Sequence, residues 1–196
     1  MPSNATPSKA APLTAPSKAA PLTAPIAEVV ASRLRDIPDF PVAGVTFKDI
    51  TPLLSDGPAL GAVVRDISSR YAGRVDVVVG IEARGFILGA AVAYELGIGF
   101  VPVRKAGKLP AATHSAEYHL EYGNAVIEVH VDAFVAGARV LVMDDVLATG
   151  GTAEATCELI ERAGATVEAV EVVLELGFLN GRSKLQGRTV HAMLSV

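Results

Sequence analysis

Two adjacent carboxylates, Asp144 and Asp145, follow four apolar residues and precede the turn Thr149-Gly150-Gly151-Thr152 in the stretch VLVMDDVLATGGT at 140–152. Adjacent glycines let a backbone come close to a ligand, exposed N–H groups at a helix start favour a phosphate, and two threonine hydroxyls can donate to its oxygens. The carboxylates repel a phosphate directly, so they should face hydroxyl groups or a hydrated metal. A ligand with a phosphate at one end and sugar hydroxyls beside it meets both demands. The same letters also suit an ordinary strand-turn-helix with Asp145 as its cap. Neither G-x-x-x-x-G-K-[ST] nor G-x-G-x-x-G occurs in the chain, so the two commonest nucleotide-fold readings lose their main support.

Four other places carry polar or aromatic groups in telling positions. Arg84 stands between short residues just past an apolar run, as an anion ligand or as a surface arginine of a βα turn. Arg104, Lys105 and Lys108 share a Gly- and Pro-punctuated loop, which composition alone reads equally as solvated or as anion-binding. Glu121 beside Tyr122 is either an acid/base for ring nitrogens or a solvated strand-end glutamate. Phe47 suits stacking on a purine, and it suits anchoring a core. His114, His119, His130 and His191 have no partner at metal or triad spacing, and Cys157 reads as a packing residue inside a helix.

Positioning these groups requires a particular set of elements. Ile26, Val29, Val30 and Leu34 recur at helical spacing, with Thr23 as a cap and Pro38 as a stop. Asp56-Gly57-Pro58 opens a second helix whose Leu60, Val63, Val64, Ile67 and Tyr71 share a face. From there strand and helix alternate: strands at 75–81, 100–103, 140–143 and 167–174, and helices at 85–96 and 151–163. Continuous apolar strands of this kind predict an α/β fold, a parallel sheet covered by helices on both faces. A hairpin at 118–131 reads as an insertion in that plan, and in such sheets ligands sit beyond the carboxyl ends of the strands.

Composition narrows the class. The chain has 196 residues, of which 51% are hydrophobic and 19% charged, and its 17 basic and 21 acidic side chains leave a net charge of −4. That balance lacks the basic surplus of a nucleic-acid or membrane-surface protein. A single cysteine permits no intrachain disulfide, no C-x-x-C or H-E-x-x-H spacing holds a metal, and no apolar run reaches the roughly 18 residues of a membrane span. A cytoplasmic location follows as the expectation. PSKAAPLTA stands at 7–15 and again at 16–24, and such Pro-broken, short apolar sequence predicts a disordered tail over 1–24 and a single domain over 25–196.

The stretch 140–152 resembles the phosphoribosyl-diphosphate (PRPP) signature of type I phosphoribosyltransferases. GVTFKDI at 44–50, GIEARGF at 80–86, VRKAGKLP at 103–110 and LEYG at 120–123 are similar, in order, to segments of the adenine phosphoribosyltransferase family. The resemblance runs from about residue 26 to about residue 181. It implies transfer of the 5-phosphoribosyl group of PRPP to N9 of adenine, with Mg²⁺ held mainly by PRPP and water. It gives the 5′-phosphate to Ala148, Thr149, Gly150, Gly151 and Thr152, and the ribose hydroxyls to Asp144 and Asp145. Arg84 would meet the diphosphate, and the loop of Arg104, Lys105 and Lys108 would close over the substrates. Glu121 would be the catalytic acid/base, and the base would lie among Val45, Thr46, Phe47, Lys48, Tyr122 and Leu147, in part a small N-terminal segment. Lys48 stands where arginine is frequent in the family, a change that a backbone contact survives and a bidentate side-chain contact does not. The family also implies a homodimer. A sister transferase for xanthine, guanine or orotate, or a PRPP-sensing DNA-binding regulator, are the other readings; the charge of −4 offers the regulator no basic patch.

Overall fold

The computed structural model describes residues 22–120 and 123–196. Apolar side chains alternate along each central strand, so each strand feeds two cores. Strands β3 (Val77–Ile81), β4 (Gly99–Lys105), β7 (Arg139–Leu147), β8 (Thr166–Glu175) and β9 (Val190–Ser195) run parallel, and β6 (Gly123–His130) and β5 (Thr113–Leu120) continue the sheet antiparallel beyond β4. The order across its seven strands is β5-β6-β4-β3-β7-β8-β9. The sheet is therefore mixed where the sequence predicts a parallel one: the hairpin extends its edge and begins at Thr113, five residues before the expected start. Val78, Leu141, Met143, Ala169 and Val173 face one core, while Val79, Val140, Val142, Val170 and Val172 face the other. Burial on both faces is why these strands read as unbroken apolar runs.

Helices α3 (Gly57–Tyr71) and α4 (Arg84–Leu96) cover the first face, and α5 (Gly151–Arg162) covers the second. Asp56 caps α3 by accepting from the Ala59 N–H at 3.1 Å, and Val63, Ile67 and Tyr71 of its inner stripe are buried. The β3-α4-β4 and β7-α5-β8 crossovers depart in opposite directions from the adjacent pair β3 and β7. A crevice forms at the carboxyl ends of such a pair.

The N-terminal part departs from the expected helix. Helix α1 (Ile26–Ala31) stops early and starts at Pro25 with no side-chain cap, so Thr23 does not cap it. Residues Arg35–Ile37 form β1, which pairs antiparallel with β2 (Phe47–Asp49) as a separate two-stranded sheet. Arg35 Nη2 meets Asp49 Oδ2 at 2.5 Å across that pair. Leu34 packs on the same core as Val29 and Val30, which is how the residue just before β1 mimics the next helical position. A short helix, α2 (Thr51–Ser55), follows β2. Among the described residues no helix is long and apolar enough to cross a membrane.

Candidate active site

The carboxyl ends of β3 and β7, with β2 arching beside them, enclose a cavity of about 360 Å³. Val45, Thr46, Phe47 and Lys48 line one wall, Arg84 and Glu82 another, and Asp144, Asp145, Ala148 and Thr152 the floor. Strand β7 runs on through both carboxylates to Leu147, four residues past the end expected for it. The strand thus holds Asp144 and Asp145 rigidly instead of releasing them into a loop.

The two carboxylates have unlike surroundings. Asp145 Oδ2 lies 2.6 Å from Arg84 Nε, an ion pair, yet this oxygen, buried from solvent, has no aligned hydrogen-bond donor. Asp144 Oδ1 accepts from the Asp145 N–H at 2.9 Å. Burial, and then the negative charge of Asp145, push the Asp144 carboxyl well above the usual carboxylate range. A floor that is acidic and short of donors suits a ligand bringing hydroxyl groups.

Past the carboxylates, Ala148, Thr149, Gly150 and Thr152 line a smaller cavity of about 70 Å³ at the start of α5. Gly150 has φ +81°, and α5 has no side-chain cap, so the N–H groups of its first turn remain open to an anion. Gly151 is the first residue of that helix and is buried. The loop is braced from behind by the backbone at Gly181: a Cβ on Gly181 would overlap the Ala148 carbonyl oxygen, and a Cβ on Gly150 would overlap the Gly181 carbonyl oxygen. Gly181 thus packs behind the loop, a position that no local sequence pattern singles out.

Arg84 opens α4, and its guanidinium sits 5.3 Å from the centroid of the Phe47 ring. Phe47 is held edge-on by Phe40, with centroids 5.3 Å apart. Across the cavity from β2 comes Val146, whereas Leu147 is only 2% exposed and packs in the second core. Leu147 borders the smaller recess described above, and Val146, the residue before it, lines the cavity beside β2. The Lys48 ammonium is drawn to Asp36 at 2.8 Å. Val45 has its N–H donated to the Val42 carbonyl and its carbonyl accepting from Phe40, so its backbone is engaged in the turn. β2 has a single partner strand, which leaves the peptide groups of its other edge available.

The basic loop does not line the cavity; it gathers on Glu82. Lys108 Nζ meets Glu82 Oε1 at 2.5 Å, Arg104 Nε meets Oε2 at 3.3 Å, and the Lys105 N–H donates to Oε2 at 3.1 Å. Gly107 N–H donates to Glu128 at 2.9 Å, and Arg104 Nη1 to the Lys108 carbonyl at 3.1 Å. The Lys108 bond, helped by the Lys105 N–H and by Arg104, holds the Glu82 carboxyl below its ordinary range. Glu82 was also missed, although it stands in GIEARGF two residues before Arg84. Glu121 and Tyr122 lie outside the described residues. Among those described, no group of three His, Cys, Asp or Glu side chains is placed to hold a metal ion.

The family model for the phosphoribosyl transferase domain matches residues 54–184. The adenine phosphoribosyltransferase of Salinispora tropica is 64% identical over 172 residues, which are 87% of this chain and 91% of that protein. The enzyme of that name from Streptomyces coelicolor is 58% identical, over 87% of this chain and 97% of its own. Among solved structures, adenine phosphoribosyltransferase from Thermoanaerobacter pseudethanolicus superposes with a TM-score of 0.83 at 46% identity, covering 86% of this chain and 99% of that one. That from Saccharomyces cerevisiae, complexed with an imino-altritol bisphosphate and adenine, superposes with a TM-score of 0.83 at 37% identity, covering 86% and 98%. With relatives this similar over nearly their whole length, and with the carboxylate pair, the turn at 148–152 and the β2 wall brought to one sheet edge, the chain belongs to the adenine phosphoribosyltransferase family.

Proposed function

We propose that this chain transfers the 5-phosphoribosyl group of PRPP to N9 of adenine, releasing diphosphate and forming AMP, the reaction of purine salvage. The observation that carries the reading is the cavity in which Asp144 and Asp145 lie between a small recess at the start of α5 and the aromatic wall of Phe47. The 5′-phosphate sits at Ala148, Thr149, Gly150, Gly151 and Thr152, where open N–H groups and hydroxyls converge. The ribose 2′- and 3′-hydroxyls donate to the two carboxylates. Arg84 turns to the diphosphate, whose charge matches a guanidinium. The cations of the 103–110 loop leave Glu82 for the same group.

Adenine stacks between Phe47 and Val146. Its N6–H and N1 pair with the carbonyl before Phe47 and the N–H after it, groups of Thr46 and Lys48 that point to one side of an extended strand. The N9 lone pair then forms a bond to C1′, the C1′–O bond breaks, and its electron pair leaves with diphosphate. Glu121 accepts the N9 proton. Asp144 and Asp145 are taken up by the ribose hydroxyls, and no group of three His, Cys, Asp or Glu among the described residues is placed to hold a metal ion, so a Mg²⁺ ion would be held mainly by PRPP and water. Such an ion would neutralise charge developing on the leaving group.

The working unit proposed is a cytoplasmic homodimer with 25–196 as one domain; of the tail expected over 1–24, residues 1–21 lie outside the described residues and Ala24 packs against the first core. Ile87 and Tyr94, exposed at 48% and 88% on α4, are the apolar residues a second copy would cover. AMP formation from PRPP, assayed with adenine, hypoxanthine, guanine, xanthine and orotate in turn, tests the function. Turnover of a different base in preference to adenine would favour a sister transferase.

A further inference from the structure

The turn that backs the recess at the start of α5 runs over Gly181–Leu185, and Gly181, its first residue, is buried with its backbone against Ala148 and Gly150. Packing of a few backbone atoms gains little per pair, so it does not by itself fix where the turn sits. The flanks fix it. Leu185, at the far end, is 1% exposed and sunk in the second core. At the near end Arg182 donates through Nε to both carboxylate oxygens of Glu175, at 2.7 and 2.9 Å, and through Nη1 to the Val190 carbonyl at 2.8 Å. Glu175 is the last residue of β8, nearly buried, and stands in register with Leu147, the last residue of β7 before the loop. Arg182 therefore ties the turn to the sheet at the point from which the loop departs. Lys184 reaches Glu154 only at 3.8 Å with both side chains open to water, a pair that contributes little.

We infer that Arg182 is a positioning residue for the 5′-phosphate: its bonds to Glu175 and Val190 hold Gly181 in place, and Gly181 sets the depth of the recess formed by 148–152. The inference rests on the reading of that recess as the 5′-phosphate site. Arg182 touches no substrate in this arrangement, because its donors are spent on β8 and β9. The guanidinium fork suits the task, since one edge meets a carboxylate while another N–H reaches a carbonyl on the next strand. A lysine keeps the charge pair with Glu175 and cannot span both strands. Positioning and direct binding then differ in sign at Glu175. Removing that carboxylate loosens the turn if Arg182 positions, and it frees a cation to meet the phosphate if Arg182 binds.

The test uses the full-length protein and its Arg182→Met, Arg182→Lys, Glu175→Met and Arg182→Met/Glu175→Met variants, with ribose 5-phosphate binding measured by calorimetry and steady-state kinetics on PRPP and adenine. Because Arg182→Met strands a nearly buried carboxylate, the double variant, which removes both charges, decides the matter where the single one does not fold. Kd for ribose 5-phosphate and KM for PRPP should rise by about tenfold in Arg182→Met, Glu175→Met and the double variant, within the roughly 100-fold that a misplacement of about 1 Å costs. The kcat and the KM for adenine should change little, Arg182→Lys should recover part of the loss, and the double variant should lose no more than either single one. Tighter ribose 5-phosphate binding by Glu175→Met would make Arg182 a direct ligand and overturn the positioning role. Wild-type Kd and KM in the folded double variant would overturn it too, as would a parallel loss of kcat and adenine affinity, the mark of general damage to the domain. Absence of ribose 5-phosphate binding by the wild-type protein would instead overturn the 5′-phosphate reading on which the inference stands.

Discussion

Asp144 carries its proton to higher pH in the native protein than in the unfolded chain, because burial and the adjacent Asp145 charge oppose its ionisation. Between the unfolded value of 3.8 and the raised native value the folded state therefore binds more protons. Stability contributed by this group falls as pH rises through that window and levels off above it. Asp144→Asn removes the slope while its amide oxygen still accepts from the Asp145 N–H. The variant should melt higher than wild type at pH 7–8 by differential scanning calorimetry, yet bind PRPP more weakly. Glu121→Gln keeps shape and loses the proton acceptor, so kcat should fall by about 10²–10⁴-fold with substrate affinities little changed; stopped-flow and steady-state kinetics check it. An unchanged kcat, with chemistry rate-limiting, would remove Glu121 from the mechanism. Asp144, Asp145 and Arg84 could be singled out because each stands within three residues of the end of an apolar run, near the sheet edge, and carries a group suited to a sugar or an anion. Glu82 and Val146 were not. Which carboxylate gathers Lys108, and which of two adjacent residues faces Phe47, depends on how β3, β4 and β7 are brought together, and no local pattern records that.

The turn at 148–152, proposed to hold the 5′-phosphate, works as an element only with its brace. Ala148, Gly150 and Gly181 touch backbone to backbone, so the recess at α5 is shaped from a segment thirty residues further along the chain. Gly181→Ala should push the loop outward. A displacement of about 1 Å can cost on the order of 100-fold in such a site, and the loss should appear as raised KM for PRPP and weakened ribose 5-phosphate binding by calorimetry, with adenine contacts intact. Wild-type affinity in a folded Gly181→Ala protein would show that the brace does not set the loop. The long elements were readable from period: α3, α4, α5 and the four central strands lie close to the positions expected for them. The short ones were not. β1 and β2 have three residues each, too few for any alternation, and are fixed by pairing and by Arg35–Asp49. β9 was missed because its partner, β8, is what makes 190–195 a strand.

Across the whole molecule, α3, β8 and β9 are tied by one buried carboxylate. Glu171 is fully buried and accepts from Arg70 Nη1 at 3.0 Å and from the Tyr71 hydroxyl at 2.8 Å, and its Oε1 lies 2.8 Å from His191 Nδ1. Arg70→Ala leaves that charge without its cation, which should lower unfolding free energy by about 3 kcal/mol in urea titrations. The cluster stands apart from the substrate cavity, so kinetics of the folded variant should match wild type. At the opposite end the proposed base site uses a fixed hydrogen-bonding edge of β2, which pairs with β1 alone among the described residues. Adenine offers a donor at N6 beside an acceptor at N1, and hypoxanthine offers the reverse. Backbone groups cannot exchange those roles, so a 6-oxopurine strands two polar groups against their own kind. The ratio of kcat/KM for adenine over hypoxanthine, measured on the wild-type protein at saturating PRPP, reads this directly. A preference for adenine of about 10⁴–10⁵-fold is the expected result, and comparable values for the two bases would contradict the account.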